Sequence, residues 1–71
     1  MWMMVLFDLP VIEKKERKAA TDFRNFLLDN GFSMVQYSIY TKLFSGKEKN
    51  KKYYKQIVSN LPPDGKVGIL T

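Results

Sequence analysis

A single carboxylate, Asp8, ends an otherwise apolar stretch, MWMMVLFDLP, at the start of the chain. An aspartate before a turn often accepts backbone N–H bonds, and Pro10 follows closely, so one interpretation of Asp8 is a local role in the turn. The other interpretation is a ligand for a hard divalent cation, Mg²⁺ or Mn²⁺, which prefers carboxylate oxygen. Because one carboxylate makes a poor site, metal binding at Asp8 requires a second copy of the chain.

Basic residues form the second candidate site. The chain has 12 Lys and Arg against 7 Asp and Glu, and this net charge of +5 favours a polyanionic partner. Contacts to phosphate would position a nucleic acid without reading its sequence. The alternative is a solvated helix face that only keeps the protein soluble. The candidate phosphate ligands are Lys14, Lys15, Arg17, Lys18 and Lys42.

Other catalytic chemistry is poorly represented. The sequence has no cysteine and no histidine, which excludes disulfides and nearly excludes a zinc site. The serines have no basic partner at a recognisable spacing. The opening apolar run is too short for a membrane span or a secretory signal, so we expect a cytoplasmic protein without a membrane partner.

The elements that must position these residues follow from the hydrophobic pattern. A helix is predicted from Glu13 to Asn30, with an apolar stripe formed by Ala19, Ala20, Phe23, Phe26 and Leu27. The segment Phe32 to Phe44 is too long for one ordinary strand and divides near Gln36 to Ser38 into an antiparallel pair. The remaining predicted elements are a first strand at 2–7, a second helix at 47–61 with the stripe Tyr53, Tyr54, Ile57, Val58 and Leu61, and a last strand at 66–71.

This order predicts one domain over residues 1–71 with a ferredoxin-like βαββαβ fold, an α+β architecture with a four-stranded antiparallel sheet and two helices on one face. The first strand is apolar on both faces, with Trp2, Met4 and Leu6 on one side. Since helices cover only one face, a second copy of the chain is expected to cover the other. The predicted homodimer interface comprises Met1, Met3, Val5, Phe7, Tyr37 and Tyr40. Base stacking by the two tyrosines is the less favoured alternative.

Several segments resemble one known family. They are VLFDLP at 5–10, ERKAATDFRNFLLDNGF at 16–32, QYSIY at 36–40 and LPPDGKVGILT at 61–71. Together they are similar to the small CRISPR-associated protein that pairs with the spacer-integrating enzyme, the second of the two core adaptation proteins, in the version found in type II systems.

The resemblance implies a homodimeric scaffold that binds prespacer double-stranded DNA and bridges dimers of the CRISPR integrase subunit in antiviral defence. It also implies Arg17 and Lys42 as the preferred phosphate contacts. Family members have been described as magnesium-dependent endoribonucleases or deoxyribonucleases, in which the aspartate that matches Asp8 holds the metal. A metal-dependent nuclease acting on RNA or DNA is therefore the main alternative, and a related ribonuclease toxin is a third.

Two departures from the family pattern affect these expectations. Phe7 stands where a tyrosine often precedes the aspartate, which removes a hydroxyl from a nuclease site. The sequence ends at Thr71, in or just after the fourth predicted strand, whereas family members usually continue with a fifth strand and a tail. Integrase docking is therefore expected only if the protein continues beyond Thr71, the alternative being a protein that ends there and lacks this part of the family.

Overall fold

A computed structural model describes residues 2–45 and 47–71, and its elements follow the predicted order. The predicted division of residues 32–44 into two strands is confirmed, with the turn at Tyr37 and Ser38. The elements are β1 (Trp2–Asp8), α1 (Lys14–Asp29), β2 (Ser33–Gln36), β3 (Ile39–Leu43), α2 (Lys47–Ser59) and β4 (Lys66–Leu70).

The strands form one antiparallel sheet in the order β2-β3-β1-β4. This order confirms the ferredoxin-like α+β fold. β1 is a central strand and pairs with β3 from Trp2 opposite Leu43 to Leu6 opposite Ile39. Its other neighbour is β4. β1 pairs with β4 from Met4 opposite Leu70 to Asp8 opposite Lys66.

The core lies between one face of the sheet and the two helices. Met3, Val5 and Phe7 of β1 are buried there against Phe23 and Leu27 of α1, because the face they share is the one the helices cover. The Phe7 ring packs edge-on to Phe23 with centroids 5.3 Å apart and stacks on Tyr40 at 5.6 Å. The core also contains Phe32, Tyr40 and Ile57, the last from α2.

This arrangement corrects the predicted dimer interface. Met3, Val5, Phe7 and Tyr40 are buried within one protomer and are not available to a second copy of the chain. The prediction assigned the dimer to the face that the helices cover. Both sides of β1 are apolar, so alternation alone does not indicate which side the helices pack on. Tyr37 is 79% exposed in the β2–β3 turn. The other interface residue, Met1, lies outside the described residues.

The opposite side of the sheet, called here the open face, carries Trp2, Met4, Leu6 and Asp8 of β1. The residues paired with them point the same way, since directly opposed residues of antiparallel strands share a face. Trp2 is 44% exposed and Leu43 81%, so apolar side chains of this face meet solvent. The neighbours of β1 on this face are Ile39, Thr41 and Leu43 of β3, with Lys66, Gly68 and Leu70 of β4.

The two helices differ in their end capping and in how much of their apolar stripe is buried. α1 begins with a capping box in which the Glu13 N–H donates to Glu16 Oε1 at 2.8 Å, and it ends before Gly31, whose φ of +86° suits a helix stop. α2 buries Ile57 fully, but Tyr54 and Val58 of its predicted apolar stripe are 49% and 46% exposed. No helix among the described residues is long and apolar enough to cross a bilayer.

Candidate functional site

Asp8 is the last residue of β1 and its side chain belongs to the open face. Alternation along the strand puts it on the same side as Leu6, and the residue is exposed. A shallow groove at this end of the sheet is lined by Leu6, Asp8, Ser38 and Lys66 among other residues. The carboxylate is thus accessible to an ion or to a ligand.

One protomer offers an incomplete metal site at Asp8. Among the described residues there is no group of three carboxylate, histidine or cysteine side chains that could hold an ion. Lys66 stands directly opposite Asp8 in the β1–β4 register, and its positive charge opposes a cation there. A hard divalent ion needs several oxygen ligands. The residues present fit Mg²⁺ or Mn²⁺ only if a second Asp8 approaches across the open face.

The basic residues at the start of α1 lie together on the helix side of the molecule. Lys14, Lys15, Arg17 and Lys18 line one shallow depression near the start of the helix. Their exposed ion pairs are weak: Lys18 Nζ lies 3.0 Å from Asp22 Oδ2, and Lys15 Nζ lies 3.7 Å from Glu13 Oε2. These lysines can therefore exchange a carboxylate for a phosphate at little cost.

Arg17 differs from its neighbours because it holds the β1–α1 loop. Its Nη1 donates to the carbonyl oxygens of Val11 at 3.3 Å and Ile12 at 2.7 Å. The side chain remains exposed. Phosphate contact by Arg17 stays a prediction, and the structure adds a role in fixing the loop.

The prediction for Lys42 needs correction. Its ammonium group is half-buried on the helix side of the sheet, where it donates to the Asn30 carbonyl oxygen and to Tyr53 Oη at 3.0 Å. The same nitrogen lies 4.3 Å from the centre of the Tyr53 ring. Because these groups already surround the charge, Lys42 joins α1, β3 and α2 rather than presenting a phosphate ligand.

Sequence reasoning missed Lys66 and Arg24 as functional candidates. Lys66 begins β4 where Asp8 ends β1, so the antiparallel pairing of the two strands was the signal that could have placed them together. Arg24 is half-buried beside the β2–β3 turn and lines a groove with Tyr37. No feature of its spacing on α1 distinguishes it from a solvent-facing residue.

Comparison with known proteins decides the family. The whole chain, residues 1–71, matches the family described as CRISPR associated protein Cas2. The chain belongs to the Cas2 family. This result confirms the resemblance that the sequence motifs indicated.

Curated Cas2 relatives match almost the entire chain, and each is named CRISPR-associated endoribonuclease Cas2. The relative from Acidovorax ebreus is 44% identical over 71 residues, which are 100% of this chain and 70% of that protein. The relative from Flavobacterium psychrophilum is 46% identical over 99% of this chain and 61% of its own length. The relative from Paracidovorax avenae is 52% identical over 97% and 64%. This chain therefore spans between 61% and 70% of the length of these relatives.

Proposed function

We propose that this chain acts in CRISPR adaptation as a homodimeric scaffold that binds prespacer double-stranded DNA and bridges integrase subunits. Membership of the Cas2 family supports the CRISPR role. The observation that carries the DNA-binding part is the grouping of Lys14, Lys15, Arg17 and Lys18 in one surface depression. A cluster of exposed cations attracts a phosphate backbone whatever the base sequence, as a protein that accepts any DNA fragment requires.

The dimer is proposed to form through the open face. Trp2, Leu43 and Leu70 are 44%, 81% and 52% exposed there, and burying such side chains releases about 25 cal/mol per Å² of apolar area. The basic depression lies on α1, which packs on the opposite side of the sheet. Dimerisation and DNA binding therefore use different surfaces and are compatible with each other.

The DNA assignment is tested by replacing Lys14, Lys15 and Lys18 together with glutamine. Each lost phosphate contact is expected to lower the salt dependence of duplex affinity by about 0.9 in the log–log slope. The measurement is fluorescence anisotropy with a labelled duplex over a range of salt concentrations. The matched control replaces Lys51, Lys52 and Lys55 of α2, which removes the same charge from the other helix. If both variants lost the same duplex affinity, the loss would follow from net charge alone. That result would contradict the assignment of the DNA contacts to α1.

Integrase bridging is tested by co-purification of this protein with its candidate integrase subunit. We expect a complex in which the dimer of this chain is shared between integrase dimers, detectable by light scattering. The Leu6→Arg variant, in which a charge is placed on the open face, should bind one integrase assembly but no longer bridge two. A variant that still bridges would show that bridging does not depend on this dimer.

A second candidate function is metal-dependent nucleolysis of RNA or DNA at Asp8. It is favoured by the exposure of Asp8 on the open face, where a second copy would place its own Asp8 nearby, and by the names of the curated relatives. In this proposal the paired carboxylates hold Mg²⁺ or Mn²⁺, which supplies an activated water when bound.

Replacing Asp8 with asparagine separates the two candidates. The nuclease proposal expects the variant to lose Mg²⁺-dependent cleavage of RNA and DNA, whereas the scaffold proposal expects duplex binding to be unchanged. Asp29→Asn, which removes an exposed carboxylate from α1, serves as the control. Cleavage that persists in Asp8→Asn would end the nuclease proposal, and loss of duplex binding in that variant would count against the scaffold surface described above.

A further inference from the structure

A narrow groove separates the β1–α1 loop from the β2–β3 turn on the helix side of the sheet. Its volume is about 180 Å³, smaller than the roughly 300 Å³ or more of a typical drug-sized pocket, so it has room for one ring system. Tyr37 and Ser38 form one wall and Val11 the other. The lining residues are Phe7, Leu9, Val11, Ala20, Arg24, Tyr37 and Ser38.

The floor and walls of this groove are held in place. Phe7 in the floor is fixed by its contacts with Phe23 and Tyr40 in the core. The Phe7 N–H donates to the Ser38 carbonyl oxygen at 3.0 Å, which ties the turn to the end of β1. On the other side, Arg17 holds the carbonyl oxygen of Val11. The groove is therefore preformed, and ligand binding does not have to order it.

The chemistry of the lining indicates a flat aromatic ligand that carries a negative charge. Tyr37 is 79% exposed, so its ring has a face available for stacking, and the floor below it is apolar. Among the described lining residues, Arg24 alone is charged, and its guanidinium has one weak internal bond, from Nη2 to Thr21 Oγ1 at 3.4 Å. An aromatic face beside an arginine is the combination that proteins use for an unpaired base and its phosphate.

We propose that this groove is a subsite for one unpaired nucleotide of a nucleic-acid strand, with the base against Tyr37 and the phosphate at Arg24. The proposal rests on the proposed function only in taking nucleic acid as the partner. Phe7 and Ser38 line both this groove and the shallow groove that contains Asp8. A strand that passes Asp8 thus meets Tyr37 and Arg24 around the same turn. A base held in a duplex cannot enter, because stacking on Tyr37 requires it to leave its partner.

The test begins with small probes that separate the base from the phosphate. AMP, adenosine and ribose 5-phosphate are titrated into the full chain, and binding is followed by NMR at the side chains of Tyr37, Val11 and Ala20. AMP is expected to shift these signals at the lowest concentration. The proposal would be overturned if ribose 5-phosphate shifted these signals at the same concentration as AMP. Shifts confined to other parts of the molecule would also overturn it.

Substitutions then assign the two walls. Tyr37→Ala should weaken AMP binding about 5- to 150-fold, the range for loss of one base–aromatic stack, and Tyr37→Phe should restore it. Arg24→Gln should weaken AMP binding and leave adenosine binding unchanged. Tyr54→Ala and Lys55→Gln on α2 are the matched controls and should bind AMP normally. Unaltered AMP affinity in Tyr37→Ala would overturn the proposal.

A final pair of measurements distinguishes a strand from a free nucleotide and separates this proposal from the function proposed above. A short single-stranded oligoadenylate should bind more tightly than AMP and should be weakened by Tyr37→Ala, while a blunt DNA duplex should bind that variant as it binds the unaltered chain. Tighter binding of AMP than of the strand would assign the groove to a free nucleotide and overturn the strand proposal. Failure of the duplex to bind the unaltered chain would instead remove the proposed scaffold function.

Discussion

Lys42 illustrates how the surroundings of one side chain set its role. A lysine on a strand between two aromatic residues resembles a phosphate ligand in sequence. In the fold it points under α2, where the Asn30 carbonyl oxygen and the Tyr53 hydroxyl accept its protons. The carbonyl at the end of α1 carries the negative pole of the helix, and α1 has no basic residue in its last turn. Lys42 supplies the missing cation from the sheet.

The structural role of Lys42 predicts the effect of replacing it with methionine, which keeps the length of the stem and removes the charge. The free energy of unfolding should fall by about 1–3 kcal/mol, because bonds to a charged group are lost and the Asn30 carbonyl loses a partner. Urea denaturation at fixed protein concentration measures this change. Lys55→Met, at an exposed position on α2, should change stability by no more than about 0.5 kcal/mol. If Lys42→Met weakened duplex binding and left stability unchanged, Lys42 would be a phosphate ligand after all.

At the scale of elements, the turn between α2 and β4 determines where Lys66 meets Asp8. Gly65 has a φ of +97°, a conformation that side chains with a Cβ rarely adopt. A Cβ at this position would lie 2.7 Å from the Asp8 carbonyl oxygen and 3.0 Å from Leu9 Cα. Because both are backbone atoms, no side-chain movement relieves the contact. The turn therefore requires glycine for its conformation and for its close approach to β1.

Gly65→Ala is therefore expected to lower the free energy of unfolding by about 1–3 kcal/mol and to disturb the end of β1. Amide exchange of Asp8 and Leu9, measured by NMR, should increase along with the loss of stability. The control is Gly68→Ala in β4, where φ is not positive and the nearest atom to a new Cβ, the Leu6 carbonyl oxygen, lies at 3.9 Å. Equal destabilisation by both substitutions would show that strand propensity, and not the turn, is the cause.

At the scale of the whole molecule, the two faces of the sheet differ in chemical character. One carries the helices and, through α1, the cluster of basic residues. The other presents apolar side chains of β1, β3 and β4 with Asp8 at one end. A single layer of helices cannot cover both faces of a sheet, so the elements described here leave one of them open. The proposed dimer uses that open face.

Leu6→Arg tests the dimer directly, since Leu6 lies in the middle of the open face beside Asp8. A charge buried without a partner at an interface should weaken association at least about tenfold, which corresponds to about 1.4 kcal/mol. Sedimentation velocity over a range of protein concentrations gives the dissociation constant, and circular dichroism checks that the fold is kept. Val58→Arg, at an exposed apolar position on α2, is the matched control. Dissociation by the control and not by Leu6→Arg would move the interface to the helices.

The sequence by itself determined the elements, the sheet architecture and the family. The signals for these elements are local: the strand and helix periods, the helix stop at Gly31 and the long segment from Phe32 to Phe44. Local signals can be interpreted without knowledge of the packing. The excess of basic residues and their grouping at the start of α1 were equally visible, because residues within one helical turn remain neighbours in any fold. Alternation also showed correctly which residues of β1 share a face.

Only the tertiary structure decided which of the two faces the helices cover. Both faces of β1 are apolar. The period of two therefore puts Met3 and Met4 on opposite faces but does not indicate which face is buried under the helices. The choice is made by packing across elements distant in the chain, where Phe23, Leu27 and Ile57 meet Phe7 and Tyr40. The same packing buried Tyr40, exposed Tyr37 and turned Lys42 inward, because each role depends on what α1 and α2 bring to the sheet and not on the neighbouring residues in sequence.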